Sequence, residues 1–581
     1  HTPAFNRRMP YRVNVSDDSG QMSVVYFNLR GPYIKKILPI GSTRVISGKI
    51  EKFNDLYQIT HPHHVVDIKN LDSVKKIECV YPLTAGMTSK IIQKSINSAL
   101  SMVDELPEWI PEKVLTRNKW PSWKDSIYQM HNPKDVKEND DNKYIERLVF
   151  DELFSQQLTI RLIKNKISHK NGISLPKKNK LSKQLRDQLK FQLTGDQETT
   201  IEEISNDQEG SSKMLRLLQG DVGSGKTIVA LFAMMQCIEN NKRSVLMAPT
   251  EILAEQHFNT IKEFISDLNL TCSLITSSNK NNHNFEADII IGTHALFQQK
   301  VTFENIGLVV IDEQHKFGVH QRILLNEKAG NSCDILLMTA TPIPRTMELA
   351  AYGDMDISKI SEKPKNRKEI ITKSINISKI DQLKESLTKI LNKKQKIYWV
   401  CPLIDESEKL QLQSVNSRVN DLKKYYSSNN VGLVHGQMSQ EEKNDVMSKF
   451  KDNKIDILVA TSVIEVGIDD PDATVMIIEN SERYGLSQLH QLRGRVGRGN
   501  VQSTCILLFE GPLTDNAKRR LKVMKETNDG FLIAEEDLDI RGAGEILGSK
   551  QSGIPNFRLS NLDKHKHCLL YTSPSPRDSA L

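Results

Sequence analysis

No apolar run in this chain approaches the roughly 20 residues that a membrane-crossing helix needs, and no signal-peptide pattern is visible. A membrane partner is therefore not expected. Cysteine is sparse, with 7 in 581 residues. They stand singly as Cys79, Cys237, Cys272, Cys333, Cys401, Cys505 and Cys568. None forms a C-x-x-C pair, and an odd, dispersed set excludes a disulfide framework. Reduced thiols in a cytosolic protein are expected instead. No cysteine or carboxylate completes a metal set around His61, His63 and His64, which read as solvated loop histidines, as do His565 and His567 near Cys568. A charge extreme is also missing. Lys and Arg number 79 against 72 Asp and Glu, a formal charge of +7. That balance is compatible with a nucleic-acid partner but does not identify one, because clustering counts for more than the total.

What the chain does contain is GDVGSGKT at residues 220–227. The pattern G-x-x-x-x-G-K-[S/T] is met by Gly220, Gly225, Lys226 and Thr227, with Asp221, Val222, Gly223 and Ser224 between them. Glycines let backbone N–H groups curl around phosphate oxygens. Lys226 would reach the β- and γ-phosphates of ATP, and the Thr227 hydroxyl would hold Mg²⁺. Apolar Met214, Leu215, Leu217 and Leu218 predict a strand before the loop. Residues 227–240 predict a helix after it, whose N-terminus favours anions.

A phosphate loop needs a partner carboxylate. Residues 306–311 (IGLVVI) read as a buried strand ending in Asp312-Glu313-Gln314-His315, so that Asp312 would hold the metal and Glu313 would activate the attacking water. This DEQH resembles the box of helicase superfamily 2, and further segments fall in that superfamily's order. FQLTGDQ (191–197) resembles its adenine-reading segment, with Gln197 able to pair with both edges of the base. APTEILAEQH (248–257) and GTHAL (292–296) stand where the superfamily touches DNA phosphates, implying Thr250, Thr293 and His294. The TAT of residues 339–341 resembles the coupling motif, implying Thr339 and Thr341.

A second α/β pattern follows the polar hinge KPKNRK (363–368), with strands expected at 395–403, 431–434 and 455–459. It lacks a phosphate loop of its own. It carries QLRGRVGR (491–498), matching Q-x-x-G-R-x-G-R and beginning at Gln491. The spacing predicts arginines one turn apart on one helical face, aimed across a cleft at a γ-phosphate. Such fingers are worth about 10³–10⁵ in rate. Arg498 is assigned the finger role and Arg495 the phosphate-sensor role, the two being interchangeable on sequence alone.

Ahead of these lobes, short β-like runs within residues 1–80 predict an OB-like barrel. The run VVYFNLRGPYIKKIL (24–38) mixes aromatic and basic residues, as single-strand binders do. Strand alternation places Tyr26 and Phe27 on opposite faces, so one is core and the other is free to stack on a base. Residues 81–185 read as a helical connector with helices at 88–103 and 142–166, and the charge run at 164–183 as a solvated face. The chain opens at His1, so a preceding part is expected to be missing. Residues 564–581 resemble translated adaptor sequence and are expected to be a non-native tail.

The glycine-dense segment 529–557, with FGVHQR (317–322), TPIPRT (341–346) and ERYGLSQLHQLRGRVGRG (482–499), makes the resemblance specific. These motifs are similar to those of the RecG family of bacterial branched-DNA helicases, over nearly everything to about residue 563. The resemblance implies an α/β fold with two RecA-like helicase lobes, preceded by an OB-like barrel acting as a strand-splitting wedge and a helical connector. The implied divisions are 1–80, 81–185, 186–360, 361–528 and a translocation motif at 529–563. It implies that Arg541, Gly542, Gly544 and Gln551 link ATP turnover to duplex movement. It also implies ATP with Mg²⁺, forks and Holliday junctions as partners, single-strand-binding protein as a further one, a monomer, and a bacterial, nucleoid-associated cytoplasmic location. Two other readings stand beside it: a transcription-repair coupling translocase, and a branched-DNA binding module that does not hydrolyse ATP.

Overall fold

The structure is a computed structural model. It describes all residues except 4–8, 28, 30, 54–55, 76, 85, 134–142, 169–171, 277–283, 294–295, 297–304, 314–331, 345–346, 349–354, 365–366, 403–407, 427–429, 462–469, 471, 498, 500, 543–556, 562–563 and 566–581. Two compact units are present, His1–Leu148 and Val149–Leu581. The divide falls within the helix Lys143–Ser168, so the connector expected at 81–185 does not form a unit of its own.

In the first unit the alternating run at residues 11–26 folds into β1 (Tyr11–Asp17) and β2 (Gly20–Tyr26), paired antiparallel. Asp17 closes their turn by accepting the Ser19 and Gly20 N–H groups at 2.8 and 3.1 Å. Next come β3 (Arg44–Ser47), β4 (Ile50–Phe53), β5 (Leu56–Thr60) and β6 (His64–Asp67). One sheet runs β1-β2-β5-β4, and β3 pairs with β6. Tyr11, Val13, Val24, Tyr26, Ile34 and Leu38 form the core. β2 stops at Tyr26, and Gly31-Pro32 opens the helix Gly31–Ile37, as a proline in the first helical turn allows. The helix expected at 88–103 spans Ser89–Ser101, with Thr88 accepting the Ile91 N–H as its cap.

The second unit holds two parallel sheets. The first comprises β7 (Leu215–Gly220), β8 (Arg243–Met247), β9 (Cys272–Ile275), β10 (Ile289–Gly292), β11 (Ile306–Ile311), β12 (Asp334–Thr339) and β13 (Asp356–Ile360), ordered β13-β7-β12-β11-β8-β10-β9. The second comprises β14 (Ile371–Asn376), β15 (Lys396–Val400), β16 (Val431–Val434), β17 (Ile457–Ala460), β18 (Ala473–Ile478) and β19 (Thr504–Phe509), ordered β14-β19-β18-β15-β17-β16. Each sheet has a separate apolar core on either face. This explains the unbroken apolar runs: a parallel strand covered on both sides has no solvent face to alternate with. β11 is buried along its whole length.

In such sheets ligands gather beyond the carboxyl ends of the strands, where the strand order reverses. The phosphate loop follows β7 and Asp312 follows β11, with β12 lying between them. The Thr339 end of β12 therefore enters the same crevice.

Candidate functional site

The phosphate loop turns sharply out of β7. Gly223 and Gly225 adopt φ of 72° and 87°, the left-handed region that glycine enters without strain. A Cβ at Gly225 would also lie 2.3 Å from Gln197 Nε2, and one at Gly223 2.3 Å from the Arg367 guanidinium. The loop then feeds the helix Lys226–Glu239. Lys226 is buried, and its Nζ donates to the Gly220 and Asp221 carbonyls at 2.7 and 3.0 Å. Thr227 sits half-buried in the first turn. Ser224 is 2% exposed and its hydroxyl has no hydrogen-bond partner among the described residues. A buried ammonium, an orphaned hydroxyl and left-handed glycines at a helix N-terminus fit the phosphates of a nucleotide.

Gln197, expected to read adenine, is engaged at both ends of its amide. It is 2% exposed. Its Oε1 accepts the Thr194 N–H at 2.9 Å and its Nε2 donates to the Ser224 carbonyl at 2.7 Å. The capping box of the helix Gly195–Glu209 and the phosphate loop thus engage both ends of the amide. In this arrangement Gln197 braces the loop rather than presenting a free edge to adenine.

Asp312 and Glu313 leave β11 beside the loop, each 8% exposed. Asp312 accepts a 2.8 Å hydrogen bond from His257 Nε2. Burial pushes the Asp312 carboxyl up, but the His257 hydrogen bond and the charges of His257 and Lys226 outweigh it and hold the group below its usual range. Glu313 moves the other way. Burial, then the neighbouring Asp312 charge, raise it, against the opposing charges of Lys226 and Arg495. One carboxylate kept ionised beside one made more basic suits a metal ligand next to a proton acceptor. Glu313 also has φ of 50°, a left-handed conformation costly for a side-chain-bearing residue and common at active sites. The Ala340 N–H lies 3.4 Å from Glu313 Oε2, and Thr339 and Thr341 join hydroxyls at 2.9 Å. The segment 339–341 therefore rests against Glu313.

The second lobe meets this site through the helix Leu486–Arg493. Gln491 lies in it, 7% exposed. The arginines do not share a helical face as expected. The helix stops at Arg493, with Gly494 as its C-cap, and Gly497 turns with φ of 79°, so Arg495 lies in the turn beyond. Arg495 is 8% exposed and its charge acts on Glu313. Arg498 falls outside the described residues. The side chain that touches the phosphate loop is one the motif did not flag: His490 Nε2 is 2.5 Å from Asp221 Oδ1. Burial alone would raise Asp221, but the His490 hydrogen bond, with smaller contributions from the Lys363 charge and the Val222 N–H, brings it down to about 2. Arg367, from the hinge, donates to the Val222 carbonyl at 2.8 Å.

The residues expected to face DNA divide. Thr250 caps the helix Glu251–Phe264 by accepting the Leu253 N–H. Thr293 is 1% exposed, and its hydroxyl has no hydrogen-bond partner among the described residues. Neither hydroxyl is presented to a phosphate here, because capping occupies one and burial hides the other. Tyr26 is core and Phe27 is 44% exposed. The Phe27 N–H donates to His61 Nε2 at 3.1 Å, a support that no motif announced. Arg541 ends the helix Gly530–Arg541 and pairs with Asp537 at 3.0 Å. Gly542 follows as its C-cap, with φ of 79°. His294, Gly544 and Gln551 lie outside the described residues.

Comparisons with known proteins agree on the family of the chain. The DEAD/DEAH box helicase family matches residues 194–350, and the helicase conserved C-terminal domain matches 378–500. ATP-dependent DNA helicase RecG of Haemophilus influenzae is 38% identical over 96% of this chain and 83% of its own. The chain belongs to the RecG family of ATP-dependent DNA helicases. The RecG proteins of Aquifex aeolicus and Bacillus subtilis are 40% and 39% identical, over 96% and 93% of this chain and 73% and 80% of theirs. A solved structure of RecG bound to a three-way DNA junction matches with a TM-score of 0.63 and 36% identity, over 96% of this chain and 75% of that one. With RecG membership, the chain is an ATP-dependent DNA helicase. Among the described residues no helix is long and apolar enough to cross a membrane.

Proposed function

We propose that this ATP-dependent helicase moves on duplex DNA and remodels branched DNA, stalled forks and Holliday junctions among it, in recombination and repair. The observation that carries the reading is that the second lobe reaches the phosphate loop of the first, His490 Nε2 lying 2.5 Å from Asp221 Oδ1. Bound ATP-Mg²⁺ supplies the γ-phosphoryl group and the electrophilic charge. In this reading Lys226 binds the β- and γ-phosphates, Thr227 and Asp312 hold the metal, and Glu313 orients the attacking water and takes its proton. Arg495 supports the charge on the γ-phosphate, and Arg498 and Gln491 complete the second lobe's contribution. Lobe closure sets these groups together and reopening separates them, so turnover becomes alternating grip on DNA.

The first unit is the proposed OB-like wedge, with exposed Phe27 as the base-stacking aromatic. Arg541 and Gln551 carry the proposed link from ATP turnover to duplex movement. Thr250, Thr293, His294, Thr339 and Thr341 lie along the proposed DNA path. A monomer in the bacterial cytoplasm, associated with the nucleoid and with single-strand-binding protein, completes the proposal. ATPase activity with a fork, with linear duplex and without DNA tests it. Strong stimulation by the fork is expected, and equal stimulation by linear duplex would favour a coupling-type translocase. Binding without turnover would leave only a binding module.

A further inference from the structure

The finger helix reaches the phosphate loop at one point, and four separate segments converge there. His490, 4% exposed, donates from Nε2 to Asp221 Oδ1 at 2.5 Å. Its other ring nitrogen is 3.0 Å from Arg493 NH2. A guanidinium can only donate, so Nδ1 must accept and the ring proton must sit on Nε2, facing Asp221. Arg493 is itself fixed: it is 1% exposed and donates to the Met524 and Thr527 carbonyls, both at 2.9 Å. The imidazole therefore has one tautomer and one direction.

The remaining segments close over this pair. A Cβ at Gly530 would lie 2.8 Å from His490 Nε2, 3.0 Å from Pro342 and 3.3 Å from Asp221 Cγ. A Cβ at Gly494 would lie 2.7 Å from the Val222 side chain. Gly530 begins the helix that ends in Arg541, and Pro342 follows the coupling threonines. Glycine early in a helix weakens it, so its use at 530 matches the lack of room. At Gly494 and Gly530 the second lobe meets the phosphate loop where an added side chain would collide with Val222 or Asp221.

We propose that His490 is a positioning residue for ATP turnover: its bond to Asp221 latches the second lobe onto the phosphate loop and brings Arg495 to Glu313. The latch contacts the loop's Asp221, not the site of the nucleotide phosphates. It sets how often the lobes are closed, not how tightly ATP binds the first lobe. Its loss appears in kcat and leaves the KM for ATP nearly unchanged.

The test uses the full chain with saturating fork DNA. His490→Ala is expected to lower kcat about tenfold, with KM for ATP within about twofold and fork binding without ATP unchanged. His490→Gln is expected to recover to within about threefold, because an amide offers the same donor and acceptor as the imidazole, at a similar separation. Asp221→Ala should reproduce the His490→Ala loss in kcat, and the double variant should be no worse than either alone. Unchanged kcat in His490→Ala overturns the latch. So does His490→Gln as impaired as His490→Ala at equal thermal stability, or additive losses in the double variant. Should His490→Ala not fold, His490→Gln and Asp221→Ala decide between these outcomes. Absence of fork preference in the unaltered chain would sink the branched-DNA reading and leave this comparison standing.

Discussion

His257 Nε2 and Asp312 Oδ2 are joined at 2.8 Å, both side chains about nine-tenths buried. His257 stands in the helix Glu251–Phe264, whose sequence suggested DNA contact, yet its side chain serves the acid after β11. In the proposed metal site, His257 orients the carboxylate that would hold the metal. Outer partners of this kind are worth about 10–100-fold in metal affinity. His257→Ala should therefore raise the Mg²⁺ needed for half-maximal ATPase by at least about tenfold. The sign with pH follows from the depressed Asp312: its charge is present above the depressed value and lost as pH falls through it. Removing His257 moves that loss to higher pH. A Mg²⁺ titration at two pH values checks both effects, and an unchanged midpoint rules out the partnership.

Tyr26 and Phe27 are adjacent, but only the second is available to DNA. Tyr26 is 4% exposed among Val24 and Ile34. Its hydroxyl has no hydrogen-bond partner among the described residues, and burial, with a smaller contribution from Tyr33, pushes it up to about 12. Tyr26→Ala should cost about 3 kcal/mol or more of stability. Tyr26→Phe should be neutral or stabilising by up to about 1 kcal/mol, since it removes an unmet polar group. Phe27→Ala should leave stability within about 0.5 kcal/mol while weakening fork affinity by about tenfold, the worth of one stacked base. Melting curves and fork titrations separate the two. A Phe27→Ala protein with full affinity removes Phe27 from the proposed wedge.

These contrasts show where reading the sequence stops. GDVGSGKT and the acid pair after IGLVVI were legible because their chemistry is local: a turn that needs glycine, and a strand that delivers carboxylates. The alternation of Tyr26 and Phe27 was legible as a choice, but only the end of β2 at Tyr26 and the packing of Ile34 decide it. The arginine helix was misread because it ends at Arg493, before Gly494 and Gly497, five residues short of Arg498. His490 and His257 were missed for a common reason. Their carboxylate partners lie 269 and 55 residues away, and a histidine carries no pattern that names its partner.

Asp537 ties the end of the C-terminal helix to the start of the finger helix. It is 4% exposed and accepts from Leu486 N–H at 3.3 Å, Ser487 N–H at 3.4 Å and the Ser487 hydroxyl at 2.7 Å. Arg541 Nε adds a 3.0 Å contact to the same carboxylate. The Arg541 guanidinium lies against Gly485, where any Cβ would collide with it. Asp537→Ala removes a helix-terminal acceptor and should cost about 1–2 kcal/mol. Arg541→Ala leaves that cap in place, so it should fold normally and retain most DNA-stimulated ATPase while losing fork unwinding. Base pairs opened per ATP hydrolysed is the deciding ratio. A proportional fall in both activities would make Arg541 a structural partner of Asp537 and no part of coupling.

Asp334 opens β12 at 1% exposure, its Oδ1 accepting the Met214 N–H at 2.8 Å. Oδ2 has no hydrogen-bond partner among the described residues. Burial raises this carboxyl to about 7, the Met214 hydrogen bond and the Lys213 charge offsetting it only in part. The folded protein therefore holds this proton more tightly than the unfolded chain does. Its contribution to stability is complete below about pH 4 and is lost as pH rises through about 7, a change on the order of 4 kcal/mol. Asparagine keeps the Met214 acceptor and cannot ionise. Asp334→Asn should therefore be more stable relative to the unaltered chain at pH 8 than at pH 5, by about 1–4 kcal/mol at the transition of the first lobe. Thermal unfolding of both proteins at those two pH values measures the difference. An equal offset at both would mean that Asp334 is already ionised in the folded lobe and that Lys213 neutralises it more fully than its burial suggests.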